Sequence, residues 1–316
     1  MAALASGVVA ELDTLVRLRD AARDVDFLPR QPTASLLSGR RASKLRGRGM
    51  DFDELRAYVP GDDVRRIDWR ATARLGKTYV RSYREERDRP LLLLVDQRAG
   101  MFFGSRQKMK SVVAAELAAL IAWRVLARGD RVGALLCGNG RTWAFRPARS
   151  EAQVHRVCAG LVESTRALVN GIGLEPPDTT HDDFAEALRA ASRLAAHDAL
   201  LVVISDFRGL SEEAASLLRR IRTHSDLFLA WITDPLEREL PELGAVAVTD
   251  GTQRLTMPSH DAAFRARFAA EFAAERARFE DFARRAGGAG FELASDSDPV
   301  ARLRQVLGRR VSPGSR

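Results

Sequence analysis

Cysteine, histidine, lysine and long apolar runs are all scarce in this chain of 316 residues. Its two cysteines, Cys137 and Cys158, are flanked by apolar residues, which predicts reduced core thiols rather than a disulfide framework. The N-terminus lacks the basic start and long apolar core of a signal peptide. The longest apolar tract, residues 112–123, contains Glu116 and is shorter than the ~20 residues needed to cross a bilayer. We therefore expect a soluble, cytoplasmic protein.

The sequence also lacks the usual marks of a catalytic site. Its histidines are scattered, and none has metal-ligand spacing with another or lies beside a candidate nucleophile: His155, His181, His197, His224 and His260. Among the possible metal clusters, the best candidate is His181 with Asp182 and Asp183. Glycines form neither a phosphate-binding loop nor a dinucleotide fingerprint. These gaps favour a protein that is not an enzyme and has no cofactor.

Charge is abundant but uneven along the chain. There are 50 basic and 42 acidic residues, a formal net charge of +8, and only four of the basic residues are lysine. This arginine bias indicates a GC-rich bacterial genome. The stretch Arg40–Arg48 is basic and free of acids, which is one mark of a nucleic-acid patch. Aromatic residues are absent from it and acids return at Asp51, so nucleic-acid binding is kept only as an alternative.

From Pro90 onward, strand-length apolar runs alternate with helical patterns. The continuous runs Leu91–Val95 and Leu200–Ile204 are typical of strands that are covered on both faces. This alternation predicts a doubly wound α/β domain with a mostly parallel sheet. Further helices are predicted at 4–27, 108–127, 151–168, 182–196, 212–222, 260–286 and 299–307, and strands at 132–137, 142–145, 227–232, 245–248, 254–257 and 291–293. We divide the chain into an N-terminal amphipathic helix (1–29), a charged subdomain (30–89) and the α/β domain (90–316).

Residues 47–74 combine dense charge with large apolar side chains. Six acids and seven arginines lie in or beside this stretch, nearly one for one. A folded segment of this kind should pair them, because leaving one partner of a buried pair alone costs about 3–5 kcal/mol. Pro60-Gly61-Asp62 is typical of a turn.

The stretch from Gly49 to Arg74, continuing to Glu86, closely resembles the signature of the bacterial family called domain of unknown function 58. The match rests on Pro60-Gly61-Asp62-Asp63 followed by Ile67-Asp68-Trp69, a rare combination at this spacing. The resemblance implies a Rossmann-like domain of von Willebrand factor A type. It also implies a partner, because such proteins often lie beside AAA+ ATPases of the MoxR type; other von Willebrand factor A proteins are further candidates.

The charged signature has two interpretations. Its charges hold a small subdomain together, or they form a docking surface for a partner. For the second interpretation we take these residues as contacts: Asp62, Asp63, Arg65, Asp68 and Trp69.

Three predicted strands are followed by an acid, namely Asp96, Asp206 and Asp234. Ligands of open α/β sheets bind at the carboxyl ends of the strands, so Asp96 and Asp206 should share one crest, the edge formed by those ends. Two carboxylates there suit Mg²⁺, which prefers oxygen ligands. Alternatively, both cap helices or accept hydrogen bonds from loop amides.

The resemblance argues against a functional metal site. Metal-binding A domains carry Asp-x-Ser-x-Ser after the first strand, a threonine in a second loop and an aspartate after a later strand. Here Arg98 and Gly100 replace both serines, and Asp182 lies where the threonine is expected. We predict a degenerate site of Asp96, Asp182 and Asp206, in which Arg98 pairs with a carboxylate in place of the ion. A solvent-facing Arg98 is the alternative.

The function that these observations favour is a non-enzymatic interaction module. By resemblance, it works with a MoxR-type AAA+ ATPase in the assembly or maturation of other proteins. Phe102 and Phe103 follow the first crest acid and are candidate aromatic anchors for a partner, unless they pack beneath the next helix. The enzymatic alternative is a divalent-metal-dependent hydrolase that uses Asp96, Asp182 and Asp206.

Overall fold

The computed structural model describes residues 7–23, 50–59, 62–85, 90–138, 140–171, 183–195, 198–209, 211–249 and 254–308. The chain divides into two units. The smaller unit is Arg30–Asp88, and the larger one joins Met1–Pro29 to Arg89–Arg316. The N-terminal helix therefore belongs to the same unit as the α/β sheet.

The described strands and helices follow one another in the order expected from the alternating pattern. The strands are β1 (Met50–Ala57), β2 (Tyr79–Glu85), β3 (Leu91–Asp96), β4 (Val132–Cys137), β5 (Thr142–Ala148), β6 (Leu200–Ser205), β7 (Asp226–Thr233), β8 (Ala245–Thr249), β9 (Arg254–Pro258) and β10 (Ala289–Ala294). The helices are α1 (Leu12–Arg23), α2 (Trp69–Leu75), α3 (Lys110–Ala127), α4 (Glu151–Asn170), α5 (Asp183–Leu194), α6 (Glu212–Arg222), α7 (Pro235–Arg238), α8 (Ala262–Arg285) and α9 (Pro299–Gly308).

A mostly parallel, six-stranded sheet forms the centre of the larger unit. Its strand order is β5-β4-β3-β6-β7-β10, and β5 at one edge runs antiparallel to β4. The chain builds the sheet outward from β3 in one direction and then outward from β6 in the other. This reversal places the topological switch point of the sheet, where ligands of open α/β folds bind, between the ends of β3 and β6.

Both faces of the sheet are covered by helices, which explains the continuous apolar run in β3. Leu91, Leu93 and Val95 pack in the core on the side of α1, α3, α4 and α9. Leu92 and Leu94 pack on the opposite side, against α5, α6 and α8. All six residues of β3 are buried, and each fully buried leucine contributes about 1.5–3 kcal/mol. The doubly wound α/β prediction is confirmed in this respect.

Helix α3 is buried nearly all round because α1 covers the side that the sheet leaves open. Leu15 of α1 is fully buried, and its carbonyl oxygen accepts a hydrogen bond from the indole Nε1 of Trp123 at 3.0 Å. Glu116 is the one acid in the apolar stretch. Its Oε1 and Oε2 accept hydrogen bonds from Lys108 Nζ at 2.7 Å and 2.8 Å. An apolar helix of this kind needs cover on every side, which is the role of α1.

The smaller unit contains the antiparallel hairpin β1–β2 with α2 in its connection. The backbone N–H of Asp68 donates to the carbonyl of Tyr79 at 2.9 Å, and Tyr79 N–H donates to Thr72 Oγ1 at 3.0 Å. Gly76 ends α2 in a left-handed conformation, with φ of 69°. Local hydrogen bonds therefore fix α2 to the hairpin.

Most predicted elements are found within a few residues of their expected bounds. The two late strands pair as β8–β9 in a sheet of their own, and the segment around Phe291 is the parallel edge strand β10. Cys137 and Cys158 are buried free thiols, as expected. No helix among the described residues is both long and apolar enough to span a membrane. The predicted turn residues Pro60 and Gly61 lie outside the described residues.

Candidate functional site

Asp96 and Arg98 form a bidentate ion pair at the end of β3. Arg98 Nε lies 3.0 Å from Asp96 Oδ1, and Nη2 lies 2.8 Å from Oδ2. Ser205 Oγ, at the end of β6, donates to Asp96 Oδ2 at 2.6 Å. The guanidinium also lies over the ring of Phe184, 4.9 Å from its centroid. Arg98 is thus held between a carboxylate and an aromatic ring, and the solvent-facing alternative is wrong.

Asp206 is neutralised by a lysine that the sequence patterns did not single out. Lys110, the first residue of α3, is fully buried, and its Nζ lies 2.9 Å from Asp206 Oδ2. The same ammonium lies 2.8 Å from Glu237 Oε1 in α7. Arg208 adds a backbone hydrogen bond to Asp206 Oδ1 at 3.1 Å and an ion pair to Glu237 at 3.3 Å. One buried ammonium therefore joins the end of β6 to α7.

We call these ion pairs the ion network of the crest. It consists of the pair Arg98–Asp96 and of a second group, in which Lys110 binds Asp206 and Glu237 while Arg208 pairs with Glu237 and Glu275. Burial would raise the pKa of Asp206, but the Lys110 ammonium outweighs that effect and lowers it. Burial would likewise lower the pKa of Arg98, but Asp96 raises it above its ordinary value. The charged forms of Asp206 and Arg98 are therefore each stabilised by a neighbour of opposite charge.

Asp234, the third predicted crest acid, has a structural position. Its side chain begins α7 in a capping box with Glu237, and it accepts hydrogen bonds from Ser105 N at 2.9 Å and Ser295 Oγ at 2.5 Å. Burial would raise its pKa, but the hydrogen bonds from the two serines lower it. Asp234 therefore connects the loop after β3 to the end of β10.

Asp96, Arg98 and Gly100 lie at or after the end of β3 and Asp206 follows β6, and the carboxylate oxygens of both acids have cationic partners. A side chain at Gly100 would begin 3.3 Å from Asp206 Oδ2, so this position does border the carboxylate. A divalent ion at this position would need carboxylate oxygens of Asp96 and Asp206, which are paired with Arg98 and Lys110 respectively. Among the described residues, no group of three His, Cys, Asp or Glu side chains is placed to hold a metal ion. Asp182, His181 and Thr180 lie outside the described residues.

Two predicted aromatic anchors, Phe102 and Phe103, are half-buried in the loop between β3 and α3. The carbonyl of Phe103 accepts a hydrogen bond from Lys110 N at 2.7 Å, and its ring centroid lies 6.0 Å from Lys110 Nζ. These residues therefore lie next to the ion network, with part of each side chain accessible. Their role as anchors stays a prediction.

The sequence patterns predicted neither Lys110 nor Glu237 as a residue of the crest. One signal was available for Glu237, because Asp234-Pro235-Leu236-Glu237 has the spacing of a capping box. Lys110 is one of only four lysines and stands at the head of an apolar helix. That pattern does not show which carboxylates it meets, since they lie 96 and 127 residues away.

In the signature segment, three acids accept hydrogen bonds from backbone amides. Asp62 Oδ2 accepts from Val59 N at 2.9 Å, and Asp63 Oδ1 accepts from Arg65 N at 3.0 Å. Asp68 Oδ1 accepts from the first-turn amides of α2, Arg70 N and Ala71 N, both at 3.0 Å. These hydrogen bonds account for part of the charge in this segment, and its one-for-one pairing with arginines stays a prediction.

Basic and apolar side chains are also exposed in this segment. Trp69 is 70 % exposed, and Arg65 and Arg70 are also exposed. Among the residues that the structure describes, neither arginine forms an ion pair. The basic stretch Arg40–Arg48, the candidate nucleic-acid patch, lies outside the described residues.

Comparison with known proteins places this chain among relatives of unknown activity. The family model described as "Protein of unknown function DUF58" matches residues 54–278, more than half of the chain. The uncharacterized proteins Rv1480 of Mycobacterium tuberculosis and Mb1516 of Mycobacterium bovis are each 31% identical to it over 297 residues. Each alignment covers 93% of this chain and 90% of the relative.

Two solved structures show a distant likeness. One is the conserved hypothetical protein BatB from Bacteroides thetaiotaomicron, with a TM-score of 0.43 and 12% identity, covering 69% of this chain and 96% of that chain. The other is an aerotolerance-related membrane protein from Bacteroides fragilis, with a TM-score of 0.41, the same identity and the same coverage.

Proposed function

The chain belongs to the DUF58 family, and on that premise we propose that it is a non-enzymatic protein-interaction module with a von Willebrand factor A-like domain. We propose that it acts in the cytoplasm with a MoxR-type AAA+ ATPase in the assembly or maturation of other proteins. The doubly wound sheet supports the domain assignment, because its switch point lies between the ends of β3 and β6. Asp96 and Asp206 lie at those two ends.

The ion network of the crest is the observation that carries this proposal. Magnesium demands near-octahedral oxygen geometry, and the oxygens of Asp96 and Asp206 already accept hydrogen bonds from Arg98 and Lys110. A divalent ion would have to enter beside two cations and displace them from their carboxylates. We therefore propose that the metal site is degenerate and that the crest keeps its shape without an ion.

The same observation weighs against the alternative of a metal-dependent hydrolase. Such an enzyme needs carboxylate oxygens that are free to hold a metal and its activated water. Here Arg98 and Lys110 engage the carboxylates that the hydrolase hypothesis assigns to the metal, apart from Asp182, which lies outside the described residues.

The proposal is tested by binding between two purified proteins, this full chain and the MoxR-type ATPase encoded in the same genome. Using nucleotide-free ATPase separates any ion on this chain from the magnesium that accompanies ATP. We expect binding by biolayer interferometry, with the same affinity in EDTA and in magnesium. An affinity that falls in EDTA, and falls equally in Asp206→Ala, would show that an ion is required. No binding in either condition would refute the partner.

A further inference from the structure

Exposed apolar surface is concentrated in one short segment of the smaller unit. Of the six strongly exposed large apolar side chains in the described residues, four lie between positions 59 and 75: Val59 at 56%, Val64 at 59%, Trp69 at 70% and Leu75 at 49%. Trp69 has the largest exposed fraction of all six. Because contiguous apolar surface marks interaction sites whereas single exposed apolar residues need no explanation, this segment is the place to look for such a surface.

Helix α2 presents its tryptophan together with two arginines. Trp69 and Ala73 are separated by four positions, as are Arg70 and Arg74, so each pair is stacked along the helix. At about 100° per residue, these four side chains cover roughly 140° of the helix surface. All four are exposed, while Ala71 on the other side is buried. We call Trp69, Arg70, Ala73 and Arg74 the α2 face.

The α2 face is held in place before any partner arrives. Asp68 caps the helix at its start through two amides, and its own N–H donates to Tyr79 of β2. Thr72 accepts from the N–H of the same Tyr79 through its hydroxyl group. A preorganised surface loses less conformational entropy on binding than a flexible one. The polar groups of this region thus position the helix and leave the indole facing outward.

The charge of the α2 face is positive where a partner would meet it. Arg70 and Arg74 are exposed, and so is Lys77 just beyond the helix. None of these three cations forms an ion pair within the described parts of the chain. The neighbouring carboxylate of Asp68 is engaged by backbone amides. An acidic surface is therefore complementary to this face.

We propose that the α2 face is the docking surface for the protein partner. The partner's site would combine an apolar pocket for the indole of Trp69 with carboxylates facing Arg70 and Arg74. Tryptophan and arginine are the residues that most often dominate binding energy at protein interfaces. This inference rests on the proposed interaction function and assigns that function to one surface of the smaller unit. It makes Asp68 a residue that positions the face rather than one that contacts the partner.

A protein fits this surface better than a nucleic acid does. Non-specific binding of single strands uses a series of aromatic side chains on which successive bases stack, whereas α2 offers one indole. The segment between β1 and β2 that carries these arginines also contains the exposed Asp63, whose carboxylate would repel a phosphate backbone. An acidic protein surface can place single carboxylates against Arg70 and Arg74 while avoiding Asp63.

The test compares two variants of the face with two matched controls. Trp69→Ala removes the indole, and Arg70→Glu/Arg74→Glu reverses both charges. Leu243→Ala removes another strongly exposed apolar side chain, which is 65% exposed in the larger unit. Arg166→Glu/Arg219→Glu makes the same change in charge at two exposed arginines of α4 and α6. Circular dichroism melts confirm that each protein is folded, and either face variant is sufficient for the test.

With the purified ATPase, we expect both face variants to bind about tenfold more weakly or worse, and both controls to bind like the wild type. The charge-reversed variant should also lose the dependence of the association rate on salt. If the ATPase binds the wild type and the face variants equally, the docking surface is wrong while the proposed partnership stands.

If the ATPase does not bind the wild type, the proposed partnership fails, and a second probe decides the docking surface. Random peptides displayed on phage are selected on the full-length wild type and counter-screened on the four variants. Peptides rich in acidic and aromatic or aliphatic residues that fail to bind Trp69→Ala would support the α2 face. Selection of no peptides, or of peptides that bind all variants equally, would overturn it. So would tight binding of a single-stranded oligonucleotide that both face variants lose.

Discussion

The crest and the signature segment use the same two residue types, aspartate and arginine, in opposite ways. At the crest, the buried carboxylates of Asp96 and Asp206 at the ends of β3 and β6 pair with the side-chain cations of Arg98 and Lys110. In the signature segment, Asp63 and Asp68 bind backbone amides at the start of short helices, and the arginines extend outward. Burial and local backbone geometry, rather than composition, decide which partner an aspartate takes.

This difference predicts different consequences of substitution in the two regions. A buried carboxylate without its cation is destabilising by about 3–5 kcal/mol, so crest residues cannot change partners easily. An exposed arginine has little effect on folding and can meet a new partner at low cost. We therefore expect substitutions at the crest to affect stability first, and substitutions on the α2 face to affect binding first.

The largest expected effect on stability is that of Lys110→Met. It leaves Asp206 and Glu237 buried without their shared ammonium, and we expect the free energy of unfolding in urea to fall by about 3–5 kcal/mol. Lys77→Met is the matched control at an exposed lysine, with an expected change within about 0.5 kcal/mol. A loss below about 1 kcal/mol at Lys110 would show that the crest network is not what stabilises this edge of the sheet.

The second-largest expected effect is a loss of folding stability in acid. The pKa values of Asp206 and Asp234 are lowered in the folded protein, so the unfolded chain binds protons first as the pH falls below about 4. The stabilisation is present above the unfolded-state pKa and is lost as the pH falls through the lower folded-state pKa. Urea unfolding at decreasing pH should show this loss, and it should be shallower in Asp234→Asn. Equal acid dependence in the wild type and the variant would contradict the assignment.

The outline of the larger unit could be predicted because its strongest signals are local. The buried runs of β3 and β6 predicted their strands, and the order of elements predicted that Asp96 and Asp206 share one edge. Pairing of Arg98 with a crest carboxylate was also predicted, but the structure was needed to identify Asp96 as that partner among Asp96, Asp182 and Asp206. Lys110 was missed because its partners are distant in the chain and are brought together only by the sheet.

The signature segment was harder to predict from composition, because counting charges does not show where backbone amides need an acceptor. Asp68 precedes a short helix whose first amides are free to donate to it. Asp63 stands in the same relation to the turn at residues 64–66. The positions of these acids before Val64 and Trp69 carried the information about capping, and a count of charges does not use it.

An effect of intermediate size is expected at Asp68. Two variants of this residue distinguish a role in capping α2 from direct contact with the partner. Asp68→Ala removes the cap and should destabilise the smaller unit by about 1 kcal/mol, with weaker partner binding because α2 is less ordered. Asp68→Asn keeps the cap and should preserve both properties. Paired melts and binding curves for the two variants check this. Weak binding by a fully stable Asp68→Asn would mean that the partner reads the carboxylate charge directly.

The smallest expected effect on stability is that of Trp69→Ala. Its side chain is largely exposed, so we expect a change within about 0.5 kcal/mol in urea unfolding. A larger loss would show that the indole supports the fold, and would remove the contrast between the two regions.

The most direct test of that contrast is an equilibrium titration of the purified ATPase, in EDTA, against two variants of the full chain. One is Trp69→Ala on the α2 face, and the other is Phe102→Ala/Phe103→Ala beside the crest. The account predicts about tenfold or greater loss of affinity for Trp69→Ala and an unchanged affinity for the crest variant if it remains folded. Loss of binding only in the folded crest variant would contradict it and place the partner at the carboxyl ends of the strands.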